Sequence, residues 1–275
     1  MAVQKVWTEK FAEMSHGKTR YWEAGSSAGY PTILIHGAGW NSGPEGWVLN
    51  IGPLAEKLHV YAIDCLNWGT GDVFNQELSF AYMVDHIREF MDVLGIAKAN
   101  VVGHSMGGWL VTLLSYESPE RVNKVVNVAG GGTATRPLAS MVEFKVPTEQ
   151  QIRDAFAHRF PEGRIDAALM EELVKPYIAK TAMAEHGEAF GNVMKHMTNP
   201  MTRTRYNTLR RMPFITAPTL VVWGRDDKTN ALELGEATHA AIKGSELIVY
   251  DNCGHGVPQE KPDEFNRDVL AFLTK

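Results

Sequence analysis

With 275 residues, 44% of them hydrophobic and 21% charged, and a formal net charge of −5, the chain has ordinary globular composition and ample material for a core. The acidic balance and the lack of a basic run argue against nucleic acid as a partner. No apolar stretch approaches the length of a bilayer crossing, Met1–Lys10 holds no apolar signal core, and the two cysteines, Cys65 and Cys253, have no CxxC spacing and make no disulfide framework.

A cytoplasmic protein without a membrane partner is therefore expected. Ten histidines show no HExxH-type spacing, so no metal is expected either. The length allows one large α/β domain or two small ones.

In chain order, Lys18–Glu23 and Pro31–Ile35 read as strands separated by the turn signal Gly25-Ser26-Ser27. The second stops at the glycine-containing loop His36-Gly37-Ala38-Gly39-Trp40. A helix over Ile51–Leu58 precedes a strand over His59–Ile63, which ends at Asp64. The spacing of Met83, Val84, Ile87, Phe90, Met91 and Leu94 predicts a helix over Ser79–Leu94, closed by Gly95. Next come a strand at Asn100–Val102, a helix through about Glu117 and a strand at Val122–Val128. Nearly continuous apolar strands alternating with helices argue for a parallel sheet buried on both faces.

From about Gly130 to Met212 the strand signals vanish. Thr148 and Gln151 resemble a capping box, and Leu169, Met170, Leu173, Val174, Tyr177 and Ile178 form an apolar stripe that Pro176 should kink or end. The segment is rich in methionine and histidine. It is either an insertion whose methionines fill its own packing or an adaptable apolar lid over a pocket. The lid is preferred, because the α/β alternation resumes afterwards. Pro218–Val222 is the next strand, followed by a helix over Leu232–Ile242, a strand over Ser245–Tyr250 and a closing helix over Glu260–Leu273. The expected division is a first core part at 1–132, a helical cap at 133–212 and a second core part at 213–275.

The chemistry gathers where strands end. Val101-Val102-Gly103-His104-Ser105-Met106-Gly107-Gly108 is an apolar strand running into Gly-x-Ser-x-Gly and then a helix, the pattern of a nucleophile elbow. Its glycines let backbone approach the strained serine turn. A serine hydroxyl needs a base to take its proton, and that base needs a fixed tautomer. His255, after the last strand, and Asp227, after Trp223-Gly224-Arg225-Asp226, supply base and orienting acid. Asp227 is preferred over Asp226, which is expected to stay solvated or pair with Arg225. The backbone N–H groups of Met106 and Ala38 are the candidate oxyanion donors.

Taken together, Gly103-His104-Ser105-Met106-Gly107-Gly108, the His36-Gly37 loop, Trp223-Gly224-Arg225-Asp226-Asp227 and Cys253-Gly254-His255 resemble the α/β-hydrolase superfamily over essentially the whole chain. The resemblance implies a mostly parallel eight-stranded α/β sheet with helices on both faces and the middle insertion as a helical cap.

Within the superfamily the chain looks most similar to the meta-cleavage-product hydrolases, which split a carbon–carbon bond in ring-opened aromatic catabolites to give a carboxylic acid and a dienoate. The matching pieces are Thr19-Arg20-Tyr21-Trp22-Glu23-Ala24-Gly25, His36-Gly37-Ala38-Gly39, Trp47 ahead of Gly52-Pro53-Leu54, and Cys253-Gly254-His255 with Glu260. The chain departs from that family at His104, where Asn is usual, at Gly256, where Trp is usual, and in Asp64-Cys65-Leu66-Asn67-Trp68-Gly69. It also has no Arg near Lys175–Tyr177, where the family's carboxylate-gripping cap arginine should fall. Arg203, Arg205, Arg210 and Arg211 lie further along.

The expected function is thus a serine hydrolase of the carbon–carbon-cleaving type acting on a small-molecule substrate without a cofactor. A small-molecule carboxylesterase and a ligand-sensing protein on the same scaffold are the alternatives, and a homodimer is left open. A carboxylate-nucleophile dehalogenase or epoxide hydrolase is disfavoured by Ser105. His104 either reaches into the site or, as preferred, packs behind the elbow. Trp40 and Trp109 are expected as pocket wall or core.

Overall fold

Eight strands form one sheet in the order β1-β2-β4-β3-β5-β6-β7-β8 in a computed structural model that describes residues 3–76, 78–134, 136–137 and 139–275. They are β1 (Thr8–Met14), β2 (Gly17–Ala24), β3 (Tyr30–Ile35), β4 (Leu58–Ile63), β5 (Ala99–His104), β6 (Val122–Val128), β7 (Thr219–Gly224) and β8 (Glu246–Tyr250). β2 runs antiparallel to both β1 and β4, and every other pairing is parallel.

Alternation along the strands assigns the two faces. Ile33, Ile35, Val101 and Val125 join one core cluster, with helices α2 (Phe80–Val93) and α3 (Met106–Glu117). Leu34, Val102, Val126 and Val222 belong to a second cluster, with α1 (Ile51–Ala55) and, at the end of the chain, the Pro262–Thr274 helix. α2 begins where its sequence says it should, since the Ser79 side chain caps it by accepting from the Tyr82 amide.

Between β6 and β7 no strand forms among the described residues, and the α-helices are α4 (Ala139–Val142), α5 (Glu149–Ala157), α6 (Ala167–Lys180), α7 (Ala184–Thr198) and α8 (Pro200–Arg205). α5 opens on the capping box of Thr148 and Gln151. This insertion is tied to the sheet side by polar contacts: His196 Nε2 accepts from the Phe80 amide, and His186 Nε2 donates to the Gly71 carbonyl. Three helices follow, α9 (Leu232–Ala241), α10 (Val257–Glu260) and α11 (Pro262–Thr274). Among the described residues no helix is long and apolar enough to cross a membrane.

Several sequence expectations need correction. β1 gave no strand signal because it is an edge strand, exposed except at Ala12 and Met14. The helix at Ile51 ends at Ala55 and not at Leu58, which already belongs to β4. The closing helix starts at Pro262 and not at Glu260, which ends a separate short helix, because Lys261 leaves helical geometry and Pro262, lacking an amide proton, starts the next one. Pro176 does not end α6, which runs on to Lys180. Burial of Leu173, Val174 and Tyr177 around the proline holds that helix together.

Candidate active site

The strand order reverses between β3 and β5, and in open α/β sheets ligands gather at the carboxyl ends of strands at such a switch point. A cavity of about 840 Å³ opens there, and Ser105, His255, His104 and Ala38 all line it. Its other wall comes from the helical insertion, through Phe144, Arg159, Phe190 and Met194.

Ser105 sits between β5 and α3 with φ 56° and ψ −110°, a strained conformation for a side chain with a Cβ. The neighbouring glycines make it attainable. A Cβ on Gly103 would lie 2.2 Å from the Gly107 carbonyl oxygen, and one on Gly107 would lie 2.1 Å from that of Ile35. The turn is pinned by the Ser105 amide donating to Val128 (2.8 Å) and by the Gly131 amide donating to the Ser105 carbonyl (3.0 Å). The serine is thus presented at the N-terminus of α3. Met106 is the first residue of that helix, where amides have no intrahelical partner, while its side chain turns into the core.

Asp227 and His255 meet as expected: His255 Nδ1 lies 2.7 Å from Asp227 Oδ2. The other carboxylate oxygen accepts from the amides of Thr229 and Asn230, both at 2.8 Å, so the buried acid is held on two sides. A carboxylate accepts here, so Nδ1 carries the proton and Nε2 keeps its lone pair. Asp226 is exposed as expected, whereas Arg225 pairs with Asp251 and not with Asp226.

The loop after β3 is held by its carbonyls. His36 Nδ1 donates to Gly37 O (2.7 Å), Trp68 Nε1 to Gly39 O (3.0 Å), Lys180 Nζ to Trp40 O (3.0 Å) and Arg159 Nη1 to Asn41 O (2.9 Å). Two of these donors come from the sheet side and two from the insertion, so both halves of the molecule shape the loop that carries the Ala38 amide. His36 is neutral, since burial pushes it down to about 4, and its Nε2 accepts from the Cys65 amide at 3.0 Å.

As the preferred reading expected, His104 is hydrogen-bonded behind the elbow, its Nε2 2.8 Å from the His255 carbonyl, and its ring also lines the cavity. Burial, then the neighbouring His255, push it down to about 3. Trp40 is cavity wall, whereas Trp109 packs in the core against Phe80 with ring centroids 4.1 Å apart.

Sequence reasoning missed Arg159. It lies just past the end of α5, 4.6 Å over the Phe156 ring, lines the cavity and forms no ion pair among the described residues. Arg203 instead donates to the carbonyls of Met197, Ala134 and Arg136. Arg211 donates to those of Asn207 and Arg205.

A strained serine at a helix N-terminus, an Asp–His pair and a carbonyl-pinned loop, all at the switch point of this sheet, define an α/β-fold hydrolase. The model of the α/β hydrolase fold family matches residues 30–262, and the chain belongs to that family. Among its relatives is the 2-hydroxy-6-oxononadienedioate/2-hydroxy-6-oxononatrienedioate hydrolase of Escherichia coli K12, 31% identical over 88% of this chain and 86% of that protein. The enzyme of the same name from Klebsiella pneumoniae is 30% identical over the same shares. Among solved structures, the 2-hydroxy-6-oxo-6-phenylhexa-2,4-dienoate hydrolase of Rhodococcus sp. RHA1 superposes with a TM-score of 0.83 at 25% identity, covering 100% of both chains. The meta-cleavage product hydrolase CumD of Pseudomonas fluorescens IP01 gives 0.79 at 26% identity, covering 96% of this chain and 97% of that one.

Proposed function

We propose that this chain is a cytoplasmic serine hydrolase that cleaves a carbon–carbon bond in a ring-opened aromatic catabolite bearing a carboxylate. His255 activates Ser105 or a water molecule, and Asp227 fixes the tautomer that leaves Nε2 free to take the proton. The amides of Ala38 and Met106 hold the oxyanion, and residues 133–212 act as the cap. Water adds across the bond, so that the acyl side leaves as a carboxylic acid and the other fragment as a dienoate. The observation that carries this reading is Arg159: a cation with no acid partner among the described residues shares the cavity with Ser105 and His255. Relatives named for dienoate and dienedioate substrates support the same choice.

Ester hydrolysis is the second reading, favoured by the apolar walls at Phe144, Phe190 and Met194 and by the lack of an arginine at Lys175–Tyr177. The test is a side-by-side assay with a yellow ring-opened dienoate and p-nitrophenyl acetate. Bleaching of the dienoate should far outpace ester release, and Ser105→Ala should slow both by on the order of 10³-fold or more. Faster ester turnover would transfer the assignment to a carboxylesterase, and unchanged turnover in a folded Ser105→Ala protein would overturn the serine mechanism.

A further inference from the structure

The side chain of His255 is fixed by Asp227, but its backbone belongs to a short connection between β8 and α10 that no strand pairing restrains. Three side-chain contacts take over that task. Glu260, at the end of α10, folds its carboxylate back over the connection: Oε2 accepts from the Gly254 amide at 2.6 Å and Oε1 from the Gly256 amide at 2.9 Å. The two amides flank His255 on either side. The third contact comes from beneath, where His104 Nε2 lies 2.8 Å from the His255 carbonyl and the two imidazoles stand with centroids 4.9 Å apart. A carbonyl can only accept, so Nε2 of His104 is the protonated nitrogen.

We propose that His104 and Glu260 are positioning residues for the reaction, clamping the peptide units around His255 so that its imidazole meets Ser105. The inference rests on the reading of His255 as the base. Hydrogen bonds in which one partner is charged are among the strong ones, and two of the three contacts end on the Glu260 carboxylate. His104 immediately precedes Ser105, so its contact ties the elbow to the base-bearing connection directly. The carboxylate lies close over both glycines: a Cβ on Gly256 would come within 3.1 Å of Glu260 Oε1, and one on Gly254 within 3.2 Å.

The experiment compares wild type with Glu260→Ala, Glu260→Gln and His104→Phe, reading fluorophosphonate labelling of Ser105 alongside kcat and KM for p-nitrophenyl acetate. Displacing a catalytic group by a fraction of an ångström to one ångström lowers rates steeply, so Glu260→Ala and His104→Phe should each reduce labelling and kcat together by roughly 10–100-fold. In Glu260→Ala, which lies outside the cavity, KM and the thermal midpoint should hardly move. Glu260→Gln keeps one acceptor oxygen and should recover part of the loss. Because both residues act on one imidazole, the double variant should lose less than the product of the single effects. Wild-type labelling and kcat in Glu260→Ala, or a raised KM with kcat retained, would overturn the proposal. Glu260 is exposed, so its two variants decide the matter even if His104→Phe fails to fold. A wild type that does not label at Ser105 would overturn the serine mechanism itself, an outcome distinct from labelled variants that behave like wild type.

Discussion

At the scale of single residues, Arg159 carries the proposed preference of the cavity for a carboxylate. One of its nitrogens is committed to the Asn41 carbonyl, and its guanidinium lies over the Phe156 ring. Burial lowers its pKa from the ordinary value without removing the charge. A charge-assisted contact with a substrate carboxylate contributes about 1.5–3 kcal/mol. Arg159→Gln should therefore lower kcat/KM for the dienoate roughly 10–100-fold more than for the neutral ester p-nitrophenyl acetate. Equal losses on both substrates would mean that the residue serves only the loop. Ser105, Asp227 and His255 were legible in the sequence because each stands at a strand end in a local pattern that backbone geometry enforces. Arg159 was not, because which side chain of a helical insertion reaches the cavity depends on how α5 packs through Ile152 and Phe156. No local spacing encodes that.

At the scale of elements, the join between β2, β4 and α6 adds a polar anchor to the apolar burial that carries α6 past Pro176. Arg20, fully buried, donates to Asp64 (2.7 Å) and to Glu45 (2.7 Å), and the Tyr177 hydroxyl on α6 donates to Glu45 at 2.5 Å. Burial raises the Asp64 carboxyl above its ordinary range. For Glu45 the burial penalty is outweighed by Arg20, which holds that carboxyl below it. Tyr177→Phe leaves a buried carboxylate short of a donor, so urea unfolding should register a loss of about 1–3 kcal/mol. Arg20→Met strands two buried acids and should cost about 3–5 kcal/mol. A Tyr177→Phe protein as stable as wild type would show that the helix is held by its apolar stripe alone. Strand and helix periods announced most elements correctly. They failed at β1, an exposed edge strand with little apolar alternation that is held by its hairpin with β2, and at Pro176, where the Glu45 carboxylate far away in the chain adds a partner.

At the scale of the whole molecule, the buried histidines set how the fold responds to acid. Burial first of all pushes His36 and His86 down to about 4 and His104 down to about 3, whereas an unfolded histidine titrates near 6.5. Between those values the unfolded chain binds protons that the folded chain refuses. Stability therefore falls as pH drops below about 6.5, and each histidine contributes a slope approaching ~1.4 kcal/mol per pH unit. Three of them acting together give roughly 4 kcal/mol per unit near pH 5, a large share of the 5–15 kcal/mol that holds a typical domain together. Urea midpoints measured from pH 8 to pH 5 should fall ever more steeply as pH drops through 6.5 and level off only toward pH 8. His86 offers the cleanest check, because it lies outside the cavity, donates through Nε2 to the Asp64 carbonyl and has a buried Nδ1 without a partner. Burial also lowers His16, His186 and His196, so His86→Gln, which keeps a donor and cannot be protonated, should flatten the slope by one histidine's share, at most about a third. An unaltered slope in that variant would remove His86 from the groups that make the fold acid-sensitive.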